Sequence, residues 1–207
     1  MMTSKKSRRF KPKKYQPKGL SLIEVLVTLT IASIMILAML SLYVAGQRYF
    51  LHGSAKSDVL RDNRQVLNWV SRDVKEGIQV LPSWDVYTTS STCLVLQVPS
   101  LDSDGLIIDI DNEFDHIVYG LNSEFPNRLE RIIDAKDGVS SRADSARVIT
   151  TRVNSFQLSS EGVDLSSVSD FSQVFRIEVT LITAKNLLGR TFQETLRTGV
   201  KLRNKSD

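Results

Sequence analysis

A glycine and a carboxylate at the start of an apolar segment are the residues of this chain best suited to a specific chemistry. Gly19 ends a basic N-terminal stretch, and Glu24 is the only charged residue between Leu20 and Gly46. Glycine adds no side chain beside the peptide bond that follows it, so a processing enzyme can reach that bond. A carboxylate inside an apolar membrane helix costs several kcal/mol. Glu24 therefore needs either a cationic partner or a position among lipid headgroups.

Four aspartates near the middle of the chain are the best candidates for a cation site. Asp102 and Asp104 precede Gly105, and Asp109 and Asp111 follow it. A calcium loop needs about six oxygen ligands, and this run lacks the twelve-residue pattern with its final glutamate. The run lies between two apolar segments, which favours a hairpin turn. The sequence leaves open whether Asp102 and Asp104 bind calcium.

The remaining nucleophiles and metal ligands are isolated. His52 lies in a predicted helix, His116 begins a predicted strand, and Cys93 is the only cysteine. One cysteine allows no intrachain disulfide, and its place at the start of an apolar run predicts a small core residue. Nothing in the sequence resembles a nucleophile elbow, a zinc motif or a phosphate-binding glycine loop. We therefore predict no enzyme activity, no cofactor and no metal.

The positive charge of the chain is concentrated at its N-terminus. The whole chain has 27 basic and 23 acidic residues, but residues 1–19 contain eight of the basic ones and no acidic one. The rest therefore carries 19 basic and 23 acidic side chains, a balance of −4. A mildly acidic body argues against nucleic acid as the main partner. A basic stretch before an apolar segment is typical of a signal that keeps the N-terminus in the cytoplasm.

One long helix is predicted from Leu20 to about Gln79. Its first half includes 22 consecutive uncharged residues, Val25 to Gly46, and a helix of that length is about 33 Å long, enough to span a bilayer core. Beyond Gly46 the apolar residues fall on one stripe, as in a helix that packs on a sheet. We expect Gly46 and Gly53 to be its weakest points. The predicted stripe consists of Leu60, Leu67, Val70, Val74 and Ile78.

The chain after Pro82 is predicted to form an antiparallel sheet. Alternating apolar residues indicate strands at Phe175–Leu181 and Leu196–Leu202, with a turn near Asn186–Arg190. The six serines of Ser159–Gln173 predict a mobile loop. The predicted fold class is α+β, with a long N-terminal helix packed on a C-terminal antiparallel β-sheet body. Earlier strands are predicted at Cys93–Val98, Leu106–Ile110, His116–Leu121, Leu129–Ile133 and Arg147–Leu158.

The residues around Gly19 resemble the prepilin processing site that type IV pilins share with type II secretion pseudopilins. Residues 18–27 read KGLSLIEVLV, with the glycine that precedes the cut and the glutamate at the fifth mature position. Leu20 replaces the usual phenylalanine, and Ser21 replaces the commoner threonine. The resemblance implies cleavage between Gly19 and Leu20 and N-methylation of Leu20. It also implies that the new α-amine pairs with Glu24 of a neighbouring subunit during assembly.

Three later stretches resemble a narrower group, the J-type minor pseudopilins of type II secretion and the PilW-like minor pilins. The helix end Arg64–Val74 contains an Arg-Asp pair like theirs. Phe114–Tyr119 followed by Arg128–Arg131 resembles their paired central strands, and Val200–Asn204 resembles their closing strand. These stretches do not separate the two groups.

The resemblance implies a minor pilin or pseudopilin with a pilin-like fold, in a tip or initiation complex. The implied domains are a leader at residues 1–19 that is removed, a transmembrane and filament-core helix at 20–52, and an extracytoplasmic domain at 53–207. Such a subunit spans the inner membrane once, with a cytoplasmic N-terminus and a periplasmic or extracellular C-terminal domain. Implied partners are other minor and major pilins or pseudopilins, the prepilin peptidase, the inner-membrane assembly platform and membrane lipid.

The alternative is a membrane-anchored or secreted binding domain unrelated to pili. A secreted form would need a cut after Gly46, but the apolar stretch is too long for the core of a signal peptide. The mature N-terminus separates these possibilities: Leu20 for a pilin, Gln47 for a secreted protein, Met1 or Met2 for a simple anchor. The sequence does not distinguish a type II secretion system from a type IV pilus or a competence system.

Overall fold

The computed structural model describes residues 19, 21–108, 113–187 and 189–203 of the chain. It divides into two units, one ending at Tyr49 and the other beginning at Phe50. The basic leader up to residue 18, Leu20, Asp109 and Asp111 lie outside the described residues. The domain boundaries expected after residues 19 and 52 remain predictions.

A single helix, α1, spans Leu22–Glu76 and confirms the predicted long helix. It continues through Gly46 and Gly53, so neither of the expected weak points breaks it. It ends slightly earlier than predicted, just before Gly77. A Cβ atom at Gly77 would lie 3.0 Å from the Leu202 side chain, so the packing against the C-terminal residues favours glycine there.

The second unit contains two main antiparallel sheets where the sequence predicts one. In chain order the strands are β1 (Gln79–Val80), β2 (Ser83–Trp84), β3 (Tyr87–Thr88), β4 (Cys93–Pro99), β5 (Phe114–Leu121), β6 (Leu129–Asp134), β7 (Ser145–Thr150), β8 (Val153–Ser160), β9 (Val163–Asp164), β10 (Arg176–Leu187) and β11 (Arg190–Lys201). One sheet has the order β1-β4-β5-β6-β7, the other has the order β11-β10-β8-β9, and β2 and β3 form a separate hairpin. The α+β fold class, with a long helix packed on antiparallel sheets, is confirmed.

Five of the predicted strands are confirmed. Strands β4, β5 and β6 match the three apolar runs of the central region to within two residues. Strands β10 and β11 extend the predicted C-terminal pair and remain in register from Arg176 opposite Lys201 to Leu187 opposite Arg190. In β10 the apolar residues alternate because one face of the strand lies on the core, whereas β4 and β5 are continuous runs that are buried on both faces along most of their length.

The predicted strand Leu106–Ile110 is wrong over its described residues. They form only one isolated bridge, between Leu101 and Ile107. The Asp102 carboxylate accepts hydrogen bonds from the backbone N–H groups of Asp104 at 2.9 Å and of Leu106 at 2.8 Å. Backbone hydrogen bonds from Asp102 to Leu106 at 2.9 Å and from Ile108 to Ser100 at 3.0 Å flank the bridge, so the segment forms the short hairpin turn that the sequence favours.

Two further predictions in the middle of the chain are wrong. Arg147–Leu158 is not one strand, because its residues divide between β7 in one sheet and β8 in the other. Ser159–Gln173 is not a loop without structure, because it contains β9 and two 3₁₀ turns, Leu165–Ser167 and Phe171–Gln173. Leu165 is fully buried, so an apolar anchor holds this serine-rich segment on the core.

The core lies between the second half of α1 and both sheets. The predicted helix stripe is right for Leu67, Val70 and Val74, whereas Leu60 and Ile78 are only half-buried. The buried helix face also includes Ala55, Val59 and Val66. The sheets contribute Leu94, Leu96, Ile117, Tyr119 and Leu129 from the five-stranded sheet and Phe156, Leu158, Ile177, Val179 and Leu181 from the four-stranded sheet.

Two polar clusters link the helix to the sheets inside this core. Asp73 accepts hydrogen bonds from the Tyr119 hydroxyl and from Arg131 Nε, each at 2.5 Å. Asn63 accepts from the Thr183 hydroxyl at 2.8 Å. Because buried polar groups are stable only when they are hydrogen-bonded, these contacts fix the position of the helix along each sheet.

Replacing Leu67 with alanine is expected to reduce the free energy of unfolding by about 2–5 kcal/mol, because it leaves a cavity in the core. The measurement is urea unfolding of residues 53–207, which we expect to fold without the N-terminal segment. Gln65→Ala, at an exposed position on the same helix, serves as the control and should have little effect. Residues 53–207 without ordered structure in circular dichroism would contradict the proposed domain boundary.

Candidate functional site

The start of α1 places the Glu24 carboxylate against the first turn of the helix. The backbone N–H of Ser21 donates to Glu24 Oε2 at 3.3 Å, and the N–H of Glu24 donates to the Ser21 carbonyl at 3.0 Å. Ser21 precedes the first helical residue, so Glu24 occupies the third position of the helix, as in a capping box. A carboxylate there also interacts favourably with the helix dipole. Glu24 therefore has a local structural role that the sequence interpretation overlooked, although the spacing S-x-x-E was visible.

Gly19 is exposed at the N-terminal side of this cap. Among the described residues, no atom lies within 4 Å of a Cβ atom built at Gly19. The open space shows that folding of the chain does not require glycine at this position. Leu20, the expected first mature residue, lies outside the described residues, so the predicted site of Gly19, Leu20 and Glu24 stays a prediction.

The apolar side chains of the first unit are not covered by the chain itself. Their exposed fractions range from 41% for Val25 to 80% for Leu22. Soluble monomers rarely expose a continuous apolar surface of this kind, and such a surface marks contact with lipid or another protein. This segment therefore needs a covering that the chain does not provide.

Four serine and threonine hydroxyl groups of the apolar segment donate to carbonyl groups of the same helix. Thr28 donates to the Glu24 and Val25 carbonyls at 2.9 Å, and Ser33 donates to the Leu29 carbonyl at 2.7 Å. Such back-bonding leaves no free hydroxyl donor on these residues. The helix surface is consequently compatible with a medium that offers no water.

Among the described residues, α1 is the one helix long and apolar enough to cross a membrane. Its most apolar 18-residue window has a mean hydropathy of 2.5, and none of that window is buried within the chain. A core helix of a soluble protein would be mostly buried. The length, the hydropathy and the exposure together indicate membrane anchoring.

The other candidate residues form no reaction centre in the described part of the chain. His52 packs on Phe192 with ring centroids 5.1 Å apart, far in sequence from His116. Burial raises the pKa of Cys93 to about 11, so the thiol is neutral at physiological pH and unreactive. Asp102 uses its carboxylate to close a turn, and the described residues contain no group of three His, Cys, Asp or Glu side chains that could hold a metal.

One aromatic cluster was not foreseen from the sequence. Trp84 stacks on His116 with ring centroids 3.4 Å apart, and its indole N–H donates to the Asp134 carboxylate at 2.7 Å. Burial lowers the pKa of His116 and outweighs the nearby carboxylates. These residues come from three separate strands, so no local motif could have predicted their contact. The cluster covers the outer face of the five-stranded sheet with the β2–β3 hairpin.

Comparison with known protein families gives one match. A profile described as the prokaryotic N-terminal methylation motif matches residues 16–40, which include Gly19, Leu20 and Glu24. The matched segment covers the start of α1 and no residue of the second unit, and it supports a type IV pilin-like family. No curated protein and no solved structure matches the chain.

Proposed function

We propose that this chain is a prepilin-type minor pilin or pseudopilin, a structural subunit of a type IV pilus or of a type II secretion pseudopilus. The observation that carries the proposal is a methylation motif at residues 16–40 on an apolar helix that the chain leaves uncovered. Lipid can cover this helix before assembly, and the helices of other subunits can cover it in a filament. The role is structural rather than catalytic.

Processing is the first step of the proposed function. A prepilin peptidase cuts between Gly19 and Leu20, and the new N-terminus at Leu20 is then methylated. Support comes from the motif and from the exposed position of Gly19, where no atom of the chain crowds the backbone. The basic leader stays in the cytoplasm before the cut, because positive charges are retained on that side of the membrane.

Glu24 acts in subunit docking. Among the described residues its carboxylate accepts one hydrogen bond, of 3.3 Å, from the Ser21 N–H, and an ionised carboxylate offers about four acceptor sites. It can therefore also accept from the α-amine of a neighbouring Leu20. The pairing offsets the cost of the charge in an apolar setting and sets the register between two helices.

We also propose where the subunit lies in the cell and that it is a minor subunit of the filament. The helix up to about residue 52 anchors the subunit in the inner membrane with a single pass, and residues 53–207 form the periplasmic or extracellular domain. Minor pilins or pseudopilins of a tip or initiation complex, major subunits and the assembly platform are the proposed partners. The resemblance of Arg64–Val74 to J-type and PilW-like subunits supports minor status.

Glu24→Gln provides the sharpest test of docking, because glutamine also fits the third position of a capping box but carries no charge. We expect Glu24→Gln and Glu24→Ala to be trimmed and inserted normally. Crosslinking to neighbouring subunits in membranes should fall by about ten- to a hundredfold, the loss expected for one charge-assisted hydrogen bond. If Glu24→Gln crosslinks as well as the native chain, the carboxylate serves only as a helix cap.

The second candidate function, an anchored or secreted binding domain, is distinguished by the mature N-terminus. Sequencing of the protein from membranes should begin at Leu20 for the proposed subunit. A start at Gln47 would indicate a secreted domain, and a start at Met1 or Met2 would indicate a simple anchor.

A further inference from the structure

In the second half of α1, the acidic side chains face the sheets and loops of the domain, whereas most of the basic side chains face outward. Every carboxylate between residues 54 and 76 pairs with a cation of the sheets or loops, and none of these carboxylates is fully exposed. The pairs are Asp58 with Lys185 at 2.7 Å, Asp62 with Arg152 at 2.7 Å, Asp73 with Arg131 at 2.5 Å, and Glu76 with Arg142 at 3.2 Å. The helix thus directs its negative charge toward its own domain.

Four cations of the same helix remain on its outer side. Arg61, Arg64, Arg72 and Lys75, here called the basic face, are all exposed. Within the described residues Arg61, Arg64 and Lys75 form no ion pair. Arg72 contacts the carboxylates of Asp73 and Glu76, but each of these carboxylates has a shorter ion pair with another arginine. The basic face therefore presents exposed positive charge, with ion pairs among the described residues only at Arg72.

The basic face is long and narrow. Its four residues lie three or eight positions apart, so they follow one side of the helix over about 21 Å. Trp69 borders the row, with the Arg72 guanidinium 4.6 Å and the Arg147 guanidinium 5.7 Å from its ring centre. Arg147, from β7, adds another exposed cation beside the helix, and the indole gives the surface an aromatic margin suited to a protein contact.

We propose that the basic face docks an acidic row on the globular domain of a different subunit of the same filament. This inference rests on the proposed function, because it assigns the partner to the filament. Guanidinium groups bind carboxylates with two parallel hydrogen bonds, so a row of arginines matches a row of aspartates and glutamates. The contact sets the orientation and partner choice of the subunit more than its affinity.

A polyanion such as nucleic acid suits this surface less well. The chain without residues 1–19 has a charge balance of −4, which repels an extended phosphate backbone outside the basic face. A membrane surface also fits poorly, because a flat layer of headgroups does not select a narrow row along one helix. A protein surface with a narrow row of carboxylates meets neither objection, because its negative charge is confined to a row and can match the basic face.

A second copy of the chain lacks the matching surface in the part that the structure describes. The exposed carboxylates of its second unit lie in turns, in loops or at the ends of short strands, as in Asp85, Asp104, Glu124 and Glu161. No described helix or long strand presents several of them in line. The partner is therefore a different chain.

A photoreactive benzoylphenylalanine at Asn68, an exposed position between Arg64 and Arg72, tests the proposal in the full chain in its native cells. The control position is Thr195, which is exposed on β11. We expect Asn68 to crosslink to another filament subunit, through a peptide with several Asp or Glu residues that mass spectrometry identifies. Thr195 should not give this product.

Charge variants of the photoreactive chain complete the test. Arg61→Gln with Arg64→Gln should lower the crosslink yield about two- to thirtyfold, the loss of two exposed ion pairs. The matched control, Arg190→Gln with Arg203→Gln, removes two exposed charges elsewhere and should leave the yield unchanged. Arg61→Glu with Arg64→Glu should regain the crosslink when the identified carboxylates of the partner are replaced with lysine.

Several results would overturn the proposal. One is a crosslink from Asn68 to a second copy of this chain, to lipid or to nucleic acid. Another is the absence of any crosslink at Asn68. The third is a crosslink yield that stays the same when Arg61→Gln and Arg64→Gln are combined. Trimming after Gly19 is read from the same samples. Normal trimming together with any of these results would reject the basic face as a docking surface and leave the proposed function intact.

Discussion

Replacing Asp73 with alanine is expected to lower the free energy of unfolding by about 3–5 kcal/mol, because Arg131 is then buried without its carboxylate. Asp73 is fully buried and accepts from Arg131 Nε and from the Tyr119 hydroxyl, each at 2.5 Å. Burial and the Asp73 charge raise the pKa of Tyr119, so its hydroxyl stays protonated and donates. Urea unfolding of the full chain in detergent micelles, followed by tryptophan fluorescence, measures the change.

Two further variants show whether the effect comes from the unpaired charge. Replacing all three groups, as Asp73→Leu, Tyr119→Phe and Arg131→Met, should recover most of the stability, because buried ion pairs can often be exchanged for apolar groups. Asp62→Ala breaks a more exposed pair on the same helix and should cost no more than about 1 kcal/mol. An equal cost for Asp73→Ala and Asp62→Ala would show that the buried cluster is not a main stabilising contact.

Gly19→Val is expected to abolish trimming of the chain. No described atom lies within 4 Å of a Cβ at Gly19, so we expect the valine to leave the fold of the described residues undisturbed. Its branched side chain instead obstructs the peptidase at the scissile bond. Immunoblots of whole cells should show only the longer form of the variant.

Gly46→Val is the matched control for this experiment. Gly46 also has no atom of the chain within 4 Å of a built Cβ, but it lies inside the helix and away from the proposed cut. This variant should be trimmed like the native chain. Trimming of Gly19→Val to the native size would reject Gly19 as the recognition residue.

The elements with strong local periodicity could be predicted from the sequence. Helix α1 and strands β4, β5, β6, β10 and β11 follow apolar patterns of the expected period. The number of sheets could not be predicted, because pairing depends on contacts between distant residues. The turn between β7 and β8 shows this dependence, since Arg152 pairs there with Asp62 at 2.7 Å, 90 positions earlier in the chain.

The serine-rich composition of one segment led to a wrong prediction, because buried apolar side chains hold that segment on the core. The serines of Ser159–Gln173 favour a mobile loop, but Leu165 is fully buried and Asp164 caps the first 3₁₀ turn. Burial of a single leucine contributes roughly 1.5–3 kcal/mol, and Val168 and Phe171 of the same segment also pack against the core. The average composition of a segment does not reveal the effect of such a residue.

The prediction of the candidate site rests on a local signal. Gly19 and Glu24 lie five residues apart, and their significance comes from the junction of a basic and an apolar segment. The interpretation missed the cap formed by Ser21 and Glu24 because it treated the glutamate only as a charge. The burial of Asp73 could not be foreseen, because its partner Arg131 is 58 positions away in the chain.

The distance along the chain between α1 and its partners decides when the core can close during synthesis. The Asn63–Thr183 hydrogen bond joins residues 120 positions apart. At about 5–20 residues per second, Thr183 is made roughly 6–24 s after Asn63. Throughout that interval the inner helix face around Asn63 lacks its contact with β10. Any chaperone or neighbouring helix that shields this face must therefore act within those seconds.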